Sequence, residues 1–112
     1  MIKRALFGCV GAVALMAMAI HASTASEKPA ANEVAIDNFS FIPQTLTVPV
    51  GTTVTWINHD DVPHTVLSVD KTTIVSPALD TDDKFSFTFT APGVYDYFCS
   101  LHPHMTGAVV VQ

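Results

Sequence analysis

At 112 residues the chain has room for a single domain, and its 49% hydrophobic residues against 13% charged ones exclude a disordered polyampholyte. A formal net charge of −5 argues against nucleic acid as a partner. Two cysteines and five histidines leave room for metal chemistry but exclude a disulfide-rich scaffold.

The N-terminus has the layout of a secretory leader, expected to span residues 1–25. Lys3 and Arg4 form a basic start, Ala5 to Ile20 is uncharged and mostly apolar, and Ser23-Thr24-Ala25 supplies small residues for cleavage. The apolar run falls short of the roughly 20 residues that a membrane span needs. Cys9 precedes most of that run, the wrong order for a lipoprotein box. Cleavage removes two bases and no acid, moving the net charge from −5 to −7. The expected product is a soluble periplasmic protein, monomeric and free of the membrane.

Residues 26–32, with Pro29, form a flexible lead-in, and 33–112 form the domain. The pattern there is β throughout. Strands are expected over Glu33–Asn38, Thr45–Val48 after a turn at Pro43, Thr52–Asn58 after Gly51, and His64–Val69. Asp70 to Asp83 is less regular and is expected as a loop, with a short strand near Thr73–Val75. Phe85, Phe87 and Phe89 alternate with Ser86, Thr88 and Thr90, the mark of a strand with one buried face. Ala91-Pro92-Gly93 is a turn. Val94–Cys99 and Thr106–Val111 complete an all-β, antiparallel sandwich or small barrel. The segment 99–105 then spans one end of the sheet.

That segment, Cys99-Ser100-Leu101-His102-Pro103-His104-Met105, holds the only cysteine and the only methionine beyond the leader. A lone exported thiol is a liability unless something occupies it. Thiolate, imidazole and thioether at C-x2-H-x2-M spacing are three of the four donors of a blue-copper site. Soft sulfur suits Cu(I), imidazole suits both oxidation states, and a bound metal removes the thiol proton outright. His64 is the best fourth donor, because Pro63-His64 places it where a loop enters a strand. His59, in a polar turn-like stretch, is expected in solvent. His104 competes with His102, but as a ligand it would have to share the ion with its neighbour Met105. Read singly, each residue also has a plainer role: Cys99 as a small buried hydrophobe, Met105 as core, His102 as a surface loop residue.

The pattern resembles the cupredoxin family, and within it the amicyanin branch. The likeness runs from about Glu33 to Gln112 through Phe41-Ile42-Pro43, Val50–Asn58, Pro63-His64, Pro92–Cys99 and the short 99–105 segment. The resemblance implies an eight-stranded Greek-key sandwich and one type 1 copper ion held by His64, Cys99, His102 and Met105. It also implies outer-sphere electron transfer through the edge of His102, with Leu101 and Pro103 in an apolar docking patch. Partners would bind there transiently, with a dehydrogenase as donor and a cytochrome as acceptor. There are two departures. Thr65 stands where the family commonly has an asparagine that ties the ligand loops, and His104 stands where an apolar residue is usual. Asn58 and Thr65 are candidates to brace the loops, and Phe98 is a candidate second electron route through the Cys99 backbone. An enzyme is not expected; a periplasmic copper carrier or chaperone is the alternative.

Overall fold

The computed structural model describes residues 30–112; the expected leader and the lead-in up to residue 29 lie outside the described residues. Eight strands form two four-stranded sheets: β1 (Glu33–Asp37), β2 (Ser40–Ile42), β3 (Thr45–Val48), β4 (Thr53–Asn58), β5 (Leu67–Ser68), β6 (Lys84–Thr88), β7 (Gly93–Cys99) and β8 (His102–Val111). One sheet runs β2-β1-β4-β6 and the other β3-β8-β7-β5. The all-β sandwich expected from the alternation is present. The sheets are mixed, however, since β1 pairs with β4 and β3 with β8 in parallel, while the other pairs are antiparallel.

Period-two patterning decides which side chains meet between the sheets. In β4, Val54, Trp56 and Asn58 point inward and are fully buried. Their outward neighbours Thr53 and Thr55 pair through hydroxyls with Thr88 and Ser86 of β6, both at 2.7 Å. Phe85 and Phe87 of β6 pack against the core that Phe89 closes. Tyr97 of β7 stacks edge-on to Phe41 and Trp56, at centroid distances of 4.8 and 5.4 Å. Gly107, across from Tyr97 on β8, has to be glycine, because a Cβ there would stand 2.5 Å from the Tyr97 ring and hydroxyl.

Several boundaries differ from expectation. β2 is a strand that the sequence pattern did not reveal, joined to β1 by the two-residue turn Asn38-Phe39. Both residues have positive φ, +52° and +57°, the pattern of a type I′ hairpin. The expected strand over His64–Val69 shortens to Leu67–Ser68. His64 instead makes an isolated two-bond bridge with Leu79, and Val75 makes only a single bridge to Leu67. β8 begins at His102 rather than near Thr106. Cys99 pairs directly with His102 across a tight hairpin, after a register shift between Phe98 and Cys99. The segment expected as a spanning loop is therefore sheet at both ends, which holds its side chains more rigidly than a free loop would.

Candidate metal centre

The β7–β8 hairpin and the segment entering β5 meet at one end of the sandwich. Cys99, fully buried, ends β7; His102, half-buried, starts β8; His64, fully buried, is fixed by the bridge to Leu79. Their donor atoms lie within 4.8 Å of one another, a group that could hold a metal ion. Nδ1 of His64 and Nδ1 of His102 each stand 3.7 Å from Cys99 Sγ. Nitrogen and sulfur donors bound at about 2.0–2.3 Å and about 120° apart would be separated by roughly 3.7 Å. The spacing and the soft donor set therefore fit a trigonal copper plane. Met105 is buried on β8, three residues beyond His102. His104 is exposed, as is His59, and neither belongs to the three-donor group.

The surrounding hydrogen bonds fix these donors. Thr65 N–H donates to Cys99 Sγ at 3.3 Å. Ser100 N–H donates to Thr65 Oγ1 at 2.8 Å, and the two hydroxyls also pair at 2.8 Å. A threonine thus ties the two ligand-bearing segments directly. Asn58 braces the other side: its amide donates to the carbonyls of Val62 and Leu79, and its Oδ1 accepts Asp60 N–H.

Two residues that the sequence did not single out also contact the site. Asp60 Oδ2 lies 2.8 Å from His64 Nε2. An Nε2–H donated there leaves the Nδ1 lone pair facing Cys99, the usual way a carboxylate sets the tautomer of a ligating imidazole. Burial works to raise the Asp60 pKa, but hydrogen bonds from Phe39 N–H, His64 and Asn38 N–H outweigh it and hold the carboxyl below the ordinary value. The Phe39 ring stands perpendicular to both imidazoles. The only sequence hint was that Asp60 precedes His64 by one helical-turn spacing; nothing marked Phe39. Phe98, half-buried, turns away from the site and lines a groove on the outer face of its sheet with Val69, Asp96 and Pro103.

Two imidazoles and a cysteine sulfur in one cluster, with a buried thioether on the same hairpin, seated at one end of a β-sandwich, define a blue-copper electron carrier. The chain belongs to the cupredoxin family, since the family model described as a cupredoxin-like domain matches residues 9–111. It is 39% identical over 120 residues to amicyanin of Paracoccus denitrificans, covering 96% of this chain and 88% of that protein. Among solved structures it is similar to a purple cupredoxin from Nitrosopumilus maritimus: 40% identity, TM-score 0.64, with 71% of this chain and 98% of that one covered. An oxidised proline-to-alanine variant of amicyanin matches at 39% identity and TM-score 0.68, over 71% and 80% of the two chains. The cofactor of this family site is one type 1 copper ion.

Proposed function

We propose that the protein is a periplasmic electron carrier in which His64 Nδ1, Cys99 Sγ, His102 Nδ1 and the Met105 thioether would hold a single copper ion. The observation that carries this reading is the pair of equal 3.7 Å separations from Cys99 Sγ to the two imidazole nitrogens. Copper held there would supply a one-electron couple between Cu(I) and Cu(II), with the Met105 thioether tuning its potential.

The protein residues supply what such a couple needs. Sheet pairing at Cys99 and His102 and the bridge at His64 keep the donors in place, so little has to move when an electron arrives. His102 is half-buried and is followed by exposed Pro103 and His104; exposed Leu101 precedes it. That face offers a partner a short path to the metal and a small, weakly held contact. A dehydrogenase as donor and a cytochrome as acceptor fit the amicyanin likeness. The basic start, apolar run and small-residue cleavage signal of residues 1–25 support export, and no described helix is long and apolar enough to cross a membrane.

The visible and EPR spectra of the copper-loaded protein test the reading. An intense Cys–Cu(II) band that reductant bleaches reversibly is expected, and Cys99→Ser should abolish it. Persistence of the band in that variant would overturn the ligand set. A metal-delivery protein would bind copper without the reversible bleaching. Fractionation of expressing cells, with sequencing of the exported N-terminus, tests the location and the cut after Ala25.

A further inference from the structure

The β1–β2 turn places an aromatic residue where the backbone favours glycine. Asn38 tolerates its φ of +52°, since asparagine visits the left-handed region readily. Phe39 follows at +57°, the second central position of the hairpin, where a Cβ crowds the chain and glycine predominates. Burial does not compensate, because Phe39 is 49% exposed. Such backbone persists only where its surroundings over-determine it, and it gathers at functional sites.

Asp60 provides that constraint. Its Oδ1 accepts Asn38 N–H at 2.7 Å, and its Oδ2 accepts Phe39 N–H at 2.9 Å while holding His64 Nε2 at 2.8 Å. One carboxylate therefore grips both amides of the turn and one imidazole of the metal centre. The Phe39 ring is left 5.3 Å from His64 at 90° and 5.1 Å from His102 at 82°, with the two imidazoles 4.8 Å apart. The three rings form a single contact group, and perpendicular packing of this kind is favourable as well as space-filling.

We propose that Phe39 is a positioning residue for the copper centre, clamped by Asp60 so that its ring holds the planes of His64 and His102 against rotation. The purpose rests on the copper reading, but the geometry does not, because every contact of the clamp is between protein groups. His102 has most need of it, being half-buried and, among the described residues, paired with no carboxylate as His64 is with Asp60. Docking alone would not explain the arrangement, because an exposed aromatic for a partner to touch requires no left-handed backbone.

The test compares wild type with Phe39→Gly and Phe39→Leu. Glycine relieves the backbone, so the turn should form at least as readily; leucine keeps the bulk and loses the ring. In metal-free protein, NMR should show sharp, single ring resonances for His64 and His102 in wild type and exchange-broadened ones, above all for His102, in Phe39→Gly. In copper-loaded protein, the electron self-exchange rate should fall about tenfold in Phe39→Gly, with Phe39→Leu between. Asp60→Asn, which weakens the clamp and leaves the ring, should broaden the same resonances. Unchanged His102 line widths together with an unchanged self-exchange rate in Phe39→Gly would overturn the proposal. A wild type that takes up copper without a blue band would overturn the copper reading instead, and the metal-free line widths would still decide the role of Phe39.

Discussion

Ser100 and Thr65 join the two halves of the metal centre: Ser100 N–H donates to Thr65 Oγ1 at 2.8 Å, although the residues are 35 positions apart. The same threonine donates its backbone N–H to Cys99 Sγ. One side chain therefore sets the distance between the segment that carries His64 and the hairpin that carries Cys99 and His102.

Thr65→Val keeps the shape and removes the hydroxyl. It should lower the stability of the metal-free protein by about 1 kcal/mol, the usual worth of one such hydrogen bond. Urea unfolding should show a lower midpoint at unchanged slope. In the copper-loaded protein the visible band should shift, since Sγ loses a neighbour that fixes its position.

Tyr97 gives the pH dependence. Among the described residues its buried hydroxyl makes no well-formed hydrogen bond; burial pushes its pKa up to about 12, and the neighbouring Trp56 side chain only partly offsets this. The folded state thus holds a proton that the unfolded chain releases near 10. Stability from this group is complete below about pH 10 and is lost as pH rises toward 12, by roughly 3 kcal/mol. Tyr97→Phe should abolish that alkaline loss and be as stable as wild type, or more so, at neutral pH. A large loss of stability in Tyr97→Phe at pH 7 would mean that the hydroxyl has a partner.

Gly107→Ala would bring a Cβ to 2.5 Å from the Tyr97 ring and hydroxyl. Overpacking of a central strand should destabilise by about 2 kcal/mol. Tyr97→Leu in the same chain should recover at least about 1 kcal/mol of that loss in a double-mutant cycle, because the clash is with the ring itself.

Metal binding should stabilise the fold by mass action. At one hundred times the dissociation constant the gain is about 2.7 kcal/mol, so removing copper with a chelator should lower Tm by about 10 °C or more. Scanning calorimetry with and without the metal checks this. Cys99→Ser should narrow the gap between the two traces.

The strands legible in the sequence were those with one clearly buried face. Phe85 and Phe87 alternate with polar residues, and β4 lies between two partners. C-x2-H-x2-M and Pro63-His64 were legible because short spacing and soft donors are themselves chemical signals. β2 was not, because its turn is Asn38-Phe39 and lacks the glycine that normally marks such a hairpin. The early start of β8 was masked by Pro103, which argues against a strand interior. The proline is tolerated because β3 pairs with β8 only from Ala108 onward, leaving one side of β8 unpaired at Pro103. Asp60 and Phe39 were invisible for a different reason. Their meeting bridges 21 positions of chain and depends on how the β1–β2 turn folds over the site.

The length of β8 also bears on how the molecule would sit on an electrode. His102 opens this strand and Val111 ends it; they face Cys99 and Gly93 of β7, six residues apart, so the two ends stand about 20 Å apart at the rise of an extended chain. Gln112 N–H is fastened to the Val48 carbonyl at 3.1 Å. A tether attached beyond Gln112 therefore leaves from the pole remote from His102. Immobilised that way, the carrier would face solution with its metal-bearing end outward, ready for a soluble partner but poorly wired to the support; direct contact with the conductor calls for an anchor near Leu101.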